Sequence, residues 1–330
     1  MTSFAVVIPL YNKGPHIARA LDSVLRQTRL PEEIIVVDDN STDDGVAIVS
    51  GYQDPRIRVF RRTMPGPGGY AARNLAINEA KSEWIAFLDA DDAWSPDHLA
   101  AVAGTIAESE GVEDQDRAVS APLTCVFSGY EIVEPSGARR LDRFSRARGR
   151  GKLQIMDFAT VLDTWLELGD CPIWTSASAF RRTHLIEAGL FPAERCVRGG
   201  DKDLWLRVAA LGRIAACPAV SAIYYRDAIN MVTRTQSTNA RHCMCETIVA
   251  MIERHRDRMP QLLKRLFNRE VFNYSIYATR NSDIDRSIWR GFYGREDPLK
   301  LVILVLLSVP GFPAIARSGR NALVRLGLLQ

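Results

Sequence analysis

Apolar and polar positions divide the start of the chain into short alternating blocks. Residues 4–11, FAVVIPLY, are continuously apolar and rich in β-branched side chains, which predicts a strand buried on both faces of a parallel sheet. The period then lengthens, and Ile17, Leu21, Val24 and Leu25 fall on one face of a helix predicted over 15–28. Pro31 breaks the pattern, and EIIVVDDNS follows as a second buried strand that ends in carboxylates. Residues 43–50 predict another helix and IRVF at 57–60 a third strand; the loop MPGPGG precedes a helix from about Tyr70 to Ala80. WIAFLD, residues 84–89, is a fourth strand. Ser95-Pro96 predicts the next helix start, with serine as cap and proline in the first turn, running towards Glu108.

Strand alternating with helix in this way predicts an α/β fold, an open and mostly parallel sheet flanked by helices. Such sheets bind ligands beyond the C-terminal ends of their strands. There the sequence places Asn12, Asp38, Asp39, Asp89, Asp91 and Asp92, expected to converge on one crevice. Further strands are predicted at 123–133, at 174–180 and at 223–226, with a helix over GDKDLWLRVAALG. Residues 139–152 hold seven Lys or Arg and one acid, Asp142; they predict a loop or short hairpin, either solvated or beside the ligand. From 242 to about 290 the pattern is helical, with Ile248, Ile252, Leu262, Leu263 and Leu266 as apolar positions. The expected organisation is a first domain over 1–240 and a helical, basic C-terminal extension over 241–330.

Composition adds little to this and charge distribution adds more. The 330 residues are 47% hydrophobic and 25% charged, ordinary for a globular protein, and a net charge of +3 is too mild to argue for nucleic acid. Residues 251–330 carry 14 Lys or Arg against 7 Asp or Glu, so the first 250 carry 28 against 32. A basic tail on a mildly acidic body suits an anionic partner or surface, or a solvated helical face. LVILVLLSVPGFPAIA at 301–316 is the most apolar stretch; at 16 residues with two prolines inside, it predicts an interfacial segment or core helix rather than a span. The six cysteines form no CxxC pair, and MTSFAVVIPLYN has no basic leader, so the expected location is a reducing cytoplasm.

The stretch FLDADDAWSP, residues 87–96, concentrates the chemistry. Three carboxylates, Asp89, Asp91 and Asp92, follow a buried strand and repel one another unless something positive lies among them. Oxygen ligands of this kind suit Mg²⁺ or Mn²⁺, held jointly by one or two carboxylates and substrate phosphates; the alternative is an acidic turn. No GxxxxGK[ST] is present, and IPLYNKG stands where a dinucleotide-binding GxGxxG would follow the first strand, so a nucleotide must be held by side chains. Tyr11 suits stacking on a base or plain packing, Asp39 a base N–H or a helix cap, and Arg73 a diphosphate or a surface position.

Taken in order, VVIPLYNKG, SVLRQT, EIIVVDDNSTD, AARNLAINEAKSEWIAFLDADD and, later, GGDKDLWLR at 199–207 resemble the markers of the family 2 inverting glycosyltransferases of the GT-A fold. The resemblance covers roughly residues 3–230. It implies that Pro9, Tyr11, Asp39, Arg73 and Asp89 bind a nucleoside-diphosphate sugar, most simply a UDP-sugar. It also implies that Asp91 holds a Mn²⁺ or Mg²⁺ ion on the diphosphate with Asp92 assisting, and that Asp201 is the general base. One departure stands out: Gly200 occupies the place of the glutamate in the usual Glu-Asp pair. Trp174, Trp205 and Tyr130 are candidates for an acceptor pocket or for core, and Trp94 for a place near the acceptor. The implied acceptor is a glycan or lipid-linked saccharide, in surface polysaccharide synthesis, with peripheral attachment of the C-terminal region to the inner face of the cell membrane. A nucleotidyltransferase and a sugar-binding module without catalysis are the competing readings. The first would carry a glycine- and Lys/Arg-rich loop in place of YNKG, and the second would lack the metal carboxylate or the base.

Overall fold

A computed structural model describes residues 2–111, 121–149, 151–228, 243–254, 259–280 and 291–307. The chain divides into two compact units, Met1–Gln236 and Ser237–Gln330. The first unit is the α/β fold. Its strands are β1 (Phe4–Leu10), β2 (Glu33–Asp38), β3 (Ile57–Arg61), β4 (Trp84–Phe87), β5 (Ala93–Trp94), β6 (Leu123–Val133), β7 (Arg139–Leu141), β8 (Gln154–Met156), β9 (Ser178–Arg181) and β10 (Arg213–Tyr225). The helices that matter for the site are α1 (Gly14–Leu25), α2 (Gly45–Ser50), α3 (Tyr70–Glu79) and α4 (His98–Gly111), then α5 (Arg143–Arg148), α6 (Phe158–Leu168), α7 (Arg182–Glu187) and α8 (Gly200–Ala209).

One sheet runs β3-β2-β1-β4-β9-β6-β10-β5, with β7 paired to β6 and β8 to β10. Its first four strands are parallel, Val6 lying opposite both Ile34 and Ala86. Beyond β4 the sheet is mixed: β9 lies antiparallel to both β4 and β6, while β6 and β10 are parallel. The continuous apolar run of β1 is explained by its place. Phe4, Val6, Ile8 and Leu10 pack with Ile17, Leu21 and Val24 of α1, while Ala5 and Val7 are equally buried on the opposite face.

Two expectations shift in detail. The Ser95 hydroxyl does not cap α4; it donates to the Ser221 carbonyl at 2.9 Å, tying the segment to β10, and the helix begins later at His98. The basic stretch after 139 is hairpin strand β7 followed by α5. Asp142, its one acid, caps that helix by accepting from Ser145 N at 2.9 Å, so this carboxylate is structural.

The second unit is helical, with Met244–Arg254, Met259–Arg280 and Pro298–Leu307 described. Leu262, Leu263 and Leu266 are buried, as the periodicity predicts. Asn268 acts as a backbone mimic, its amide exchanging hydrogen bonds of 2.9 and 2.8 Å with the carbonyl and N–H of Tyr293. Only residues 301–307 of the apolar stretch are described; 308–316 and the arginines after it lie outside the described residues. No described helix is long and apolar enough to cross a membrane.

Candidate active site

The site forms where the chain leaves β1, β2 and β4. Asn12 and Asn40, directly after β1 and β2, take left-handed backbone conformations with φ of 48° and 68°. Asparagine tolerates that region better than other residues with a Cβ, and it lets each strand turn sharply at the crevice. The two loops are stitched together: Thr42 N donates to Asn12 Oδ1 at 2.8 Å and Asn12 N to Ser41 Oγ at 3.1 Å. Asp43 accepts from Gly14 N at 2.7 Å, so a residue from the second loop caps α1 beside the first.

Tyr11 stands at this edge 49% exposed, which removes plain packing as its explanation. Asp39 is buried and caps no helix. One of its oxygens is paired with Arg62 and the other accepts from Gly66 N at 3.0 Å, so it joins β2 to the glycine loop. Pro9 lies against Gly69 in that loop. Arg73 is also buried rather than a surface charge. Its guanidinium bridges the Gly68 carbonyl at 2.7 Å and Asp89 Oδ1 at 2.5 Å.

The three carboxylates of FLDADD are handled in three ways. Asp89 is paired with Arg73 as above; burial pushes its carboxyl upward, Arg73 opposes that, and the fields of Asp91 and Asp201 add to it. Asp91 Oδ2 accepts from the Lys13 ammonium at 2.7 Å, while Arg19 Nη2 donates to the Asp91 carbonyl at 2.7 Å, with the guanidinium carbon Cζ of Arg19 3.7 Å over the Tyr225 ring. Asp92 faces inward, taking a 2.6 Å bond from Ser176 Oγ and one of 3.3 Å from Tyr225 N. Burial, then Asp91 and Asp89, raise the Asp92 carboxyl well above the usual range. Asp92 therefore braces the turn after β4 against β10.

Asp201 lies in the first turn of α8, near enough to Asp89 and Tyr70 for its charge to raise the ionisation of both. Asp203, two residues on, is fully buried between Arg195 and Arg207, at 3.0 and 2.7 Å, and anchors the helix. Half-buried aromatics line the neighbouring wall: Tyr130 and Trp174 lie 4.3 Å apart and Trp174 and Tyr224 5.3 Å. Trp205 is core, stacked 4.1 Å from Phe180. Trp94 is core too, contrary to a place near the acceptor: its indole donates to the Ser176 carbonyl at 2.6 Å and stacks on His98.

Lys13, Arg19, Arg62, Tyr70 and Ser176 were not singled out by the sequence. Lys13 had a signal, since it follows the strand-end Asn12 in YNKG. The others act through partners 20 to more than 100 positions away, and no local pattern marks them.

Comparison with known proteins fits this geometry. The family described as Glycosyl transferase family 2 matches residues 5–120. The succinoglycan biosynthesis protein ExoO of Rhizobium meliloti is 44% identical over 94 residues, 28% of this chain and 26% of that protein. An uncharacterized glycosyltransferase of Rickettsia felis is 43% identical over 214 residues, 64% of this chain and 31% of that protein. The chain thus spans about a third or less of the length of these curated relatives. Among solved structures, S. aureus TarS 1–349 in complex with UDP-GlcNAc superimposes with a TM-score of 0.71 at 17% identity, over 97% of this chain and 92% of that one. That likeness establishes the GT-A type of fold.

Proposed function

We propose, for a chain whose residues 5–120 belong to glycosyl transferase family 2, that this glycosyltransferase moves a sugar from a nucleoside diphosphate to an acceptor hydroxyl with inversion. A UDP-sugar is the favoured donor, since the TarS structure of the same fold was determined with UDP-GlcNAc. The acceptor is a glycan or lipid-linked saccharide of surface polysaccharide synthesis, the context of the succinoglycan relative. The observation that supports the reading is the proximity of Asp89 to both Asp91 and Asp201, whose charges act on its carboxyl, with Tyr11 exposed just after β1.

In this reading Tyr11 stacks on the base, Pro9 and Asp39 shape the base and loop side, and Arg73 fixes Asp89 towards the ribose. Asp201 accepts the proton of the acceptor hydroxyl as that oxygen attacks the anomeric carbon. The bond from that carbon to the diphosphate breaks on the opposite face, the electron pair leaves with the nucleoside diphosphate, and configuration inverts. Holding Asp201 close to the acceptor hydroxyl is what would make it effective in that role.

Among the described residues no group of three or more His, Cys, Asp or Glu side chains is arranged to hold a metal ion by itself. A divalent cation still fits at Asp91, where the Lys13 ammonium at 2.7 Å marks a place that already stabilises positive charge. Asp91 would supply the one protein carboxylate, leaving positions for phosphate oxygens. A bound Mn²⁺ or Mg²⁺ there would neutralise charge on the leaving diphosphate.

The helix Pro298–Leu307 exposes Leu299, Val302, Val305 and Leu306 by 41–56%. With the positive excess of residues 251–330, this supports peripheral contact with an anionic membrane surface. Flotation of the full chain with phosphatidylglycerol vesicles, compared with a truncation before Lys300, tests it; equal flotation would remove the idea.

The central test is calorimetric titration of UDP, GDP and dTDP, with and without Mn²⁺, against the wild type and Asp91→Ala. Metal-dependent binding of one nucleotide, lost in Asp91→Ala, is expected. Binding of none would send the reading back to Asp201 alone.

A further inference from the structure

Helix α8 starts without local help. Its N-cap, Gly199, sits at φ 77° and makes no side-chain capping bond, although the first turn carries Asp201 and Asp203. The missing acceptor comes from 130 positions earlier: Gly200 N donates to Tyr70 Oη at 2.9 Å. Tyr70 is the first residue of α3, 5% exposed, with its ring stacked 5.8 Å from Phe191 at an interplanar angle of 12°. The ring also fills the space above Gly200. A Cβ there would stand 2.9 and 3.0 Å from Tyr70 Cζ and Cε2 and 3.1 Å from Pro192 Cγ. Phe191 stacks on the ring, and the Gly68 backbone also lies against it. Gly200 and Tyr70 are thus complementary, each excluding a bulkier side chain at the other's position.

One turn along α3, Arg73 holds Asp89 at 2.5 Å. A single helix end therefore grips both carboxylate sites, Asp89 through Arg73 and the Asp201 turn through Tyr70. The phenol stays protonated, because burial and then the nearby Asp201 push its ionisation far up. Its oxygen offers the helix a neutral acceptor, where a third carboxylate would repel Asp201.

We propose that Tyr70 is the positioning residue of Asp201, fixing the helix turn that carries it and replacing a side chain at position 200. This rests on the reading of Asp201 as base. The test uses the full chain and whichever of UDP-glucose, UDP-galactose and UDP-N-acetylglucosamine the wild type turns over fastest, read as UDP released. Tyr70→Phe keeps the ring and removes the acceptor oxygen. Its donor KM should stay near wild type and its thermal midpoint fall by only a few degrees, the cost of one unsatisfied N–H, while kcat falls roughly 10- to 100-fold, the scale of a 1 Å misplacement. Gly200→Ala, which displaces the ring, should lower kcat similarly, and the double variant should be no worse than either single one, since both remove one contact. Wild-type kcat in Tyr70→Phe, or losses that multiply in the double variant, would overturn the proposal. Asp201→Asn separates the two failures. If it is inactive while Tyr70→Phe is unaffected, only the positioning role fails; if it retains full turnover, or the wild type releases UDP from none of these donors, both roles fall.

Discussion

The two halves of the first unit both carry candidate site residues but are built differently. In residues 4–94 the candidate side chains Pro9, Tyr11, Asp39, Asp89 and Asp91 sit within a few positions of the strands that present them, Arg73 coming instead from α3, and the turns are made by loop residues such as Asn12 and Asn40. In residues 123–225 the strands are mixed in direction, and the key carboxylate is carried by a helix held from outside. Tyr70 accepts from its first N–H, and Arg195 and Arg207 clamp Asp203. The difference teaches that the first half places its chemistry by strand register and the second by tertiary clamps. Substitutions should therefore act locally in the first and cooperatively in the second.

Asp203→Ala is the strongest test of that contrast. It leaves Arg207 half-buried with no carboxylate, and a loss of about 3 kcal/mol is expected in urea unfolding, the range for breaking a buried pair. An unchanged midpoint would mean that α8 is not clamped. His98, at the seam between α4 and β10, comes next. It is fully buried, bonded through Nδ1 to Ser221 Oγ at 2.8 Å, and burial lowers its pKa to about 3. The folded state keeps it neutral while the unfolded chain protonates near pH 6.5, so its contribution is complete above that pH. Stability should then fall by about 1.4 kcal/mol per pH unit between about 6.5 and 3. A His98→Gln variant should lose that component of the slope between pH 6.5 and 4, and an identical slope in both proteins would contradict the assignment.

In the first half the effects should be smaller and confined. Tyr11→Ala should weaken nucleotide binding by roughly 1–3 kcal/mol, the scale of one base-stacking contact, with the thermal midpoint unchanged. Unaltered affinity would detach Tyr11 from the base. Asn40→Ala places a less tolerant residue at φ 68° and should cost about 1 kcal/mol in chemical denaturation, without touching α8. A larger loss, spreading to turnover, would show that the two halves are not separable in this way.

The same contrast explains what could be read in advance. Four alternating blocks gave the parallel strands and their order of appearance, because buried parallel strands are continuously apolar and FAVVIPLY is such a run. The motifs around FLDADD and GGDKDLWLR singled out Asp89, Asp91 and Asp201, and the charges of Asp91 and Asp201 do both act on the Asp89 carboxyl. The division of labour within FLDADD was not legible. That Asp92 braces β10 while Asp91 meets Lys13 depends on Ser176 and on a lysine 78 positions away. The same limit hid the role of Ser95, which has every local mark of a cap and is drawn off by the Ser221 carbonyl. Trp94 went astray because burial of an aromatic depends on the strand that arrives beside it, here β10.

The antiparallel insertion of β9 between β4 and β6 has a consequence for synthesis on the ribosome. The backbone edge of β4, WIAF, stays open until its partner has been made, about 90 residues after Phe87. At ordinary translation rates that is about 5–20 s during which an apolar strand presents unpaired N–H and C=O groups to other nascent chains. The ribosome tunnel and early chaperones must shield this edge, and a stalled chain ending before residue 178 would be a template for edge-to-edge aggregation.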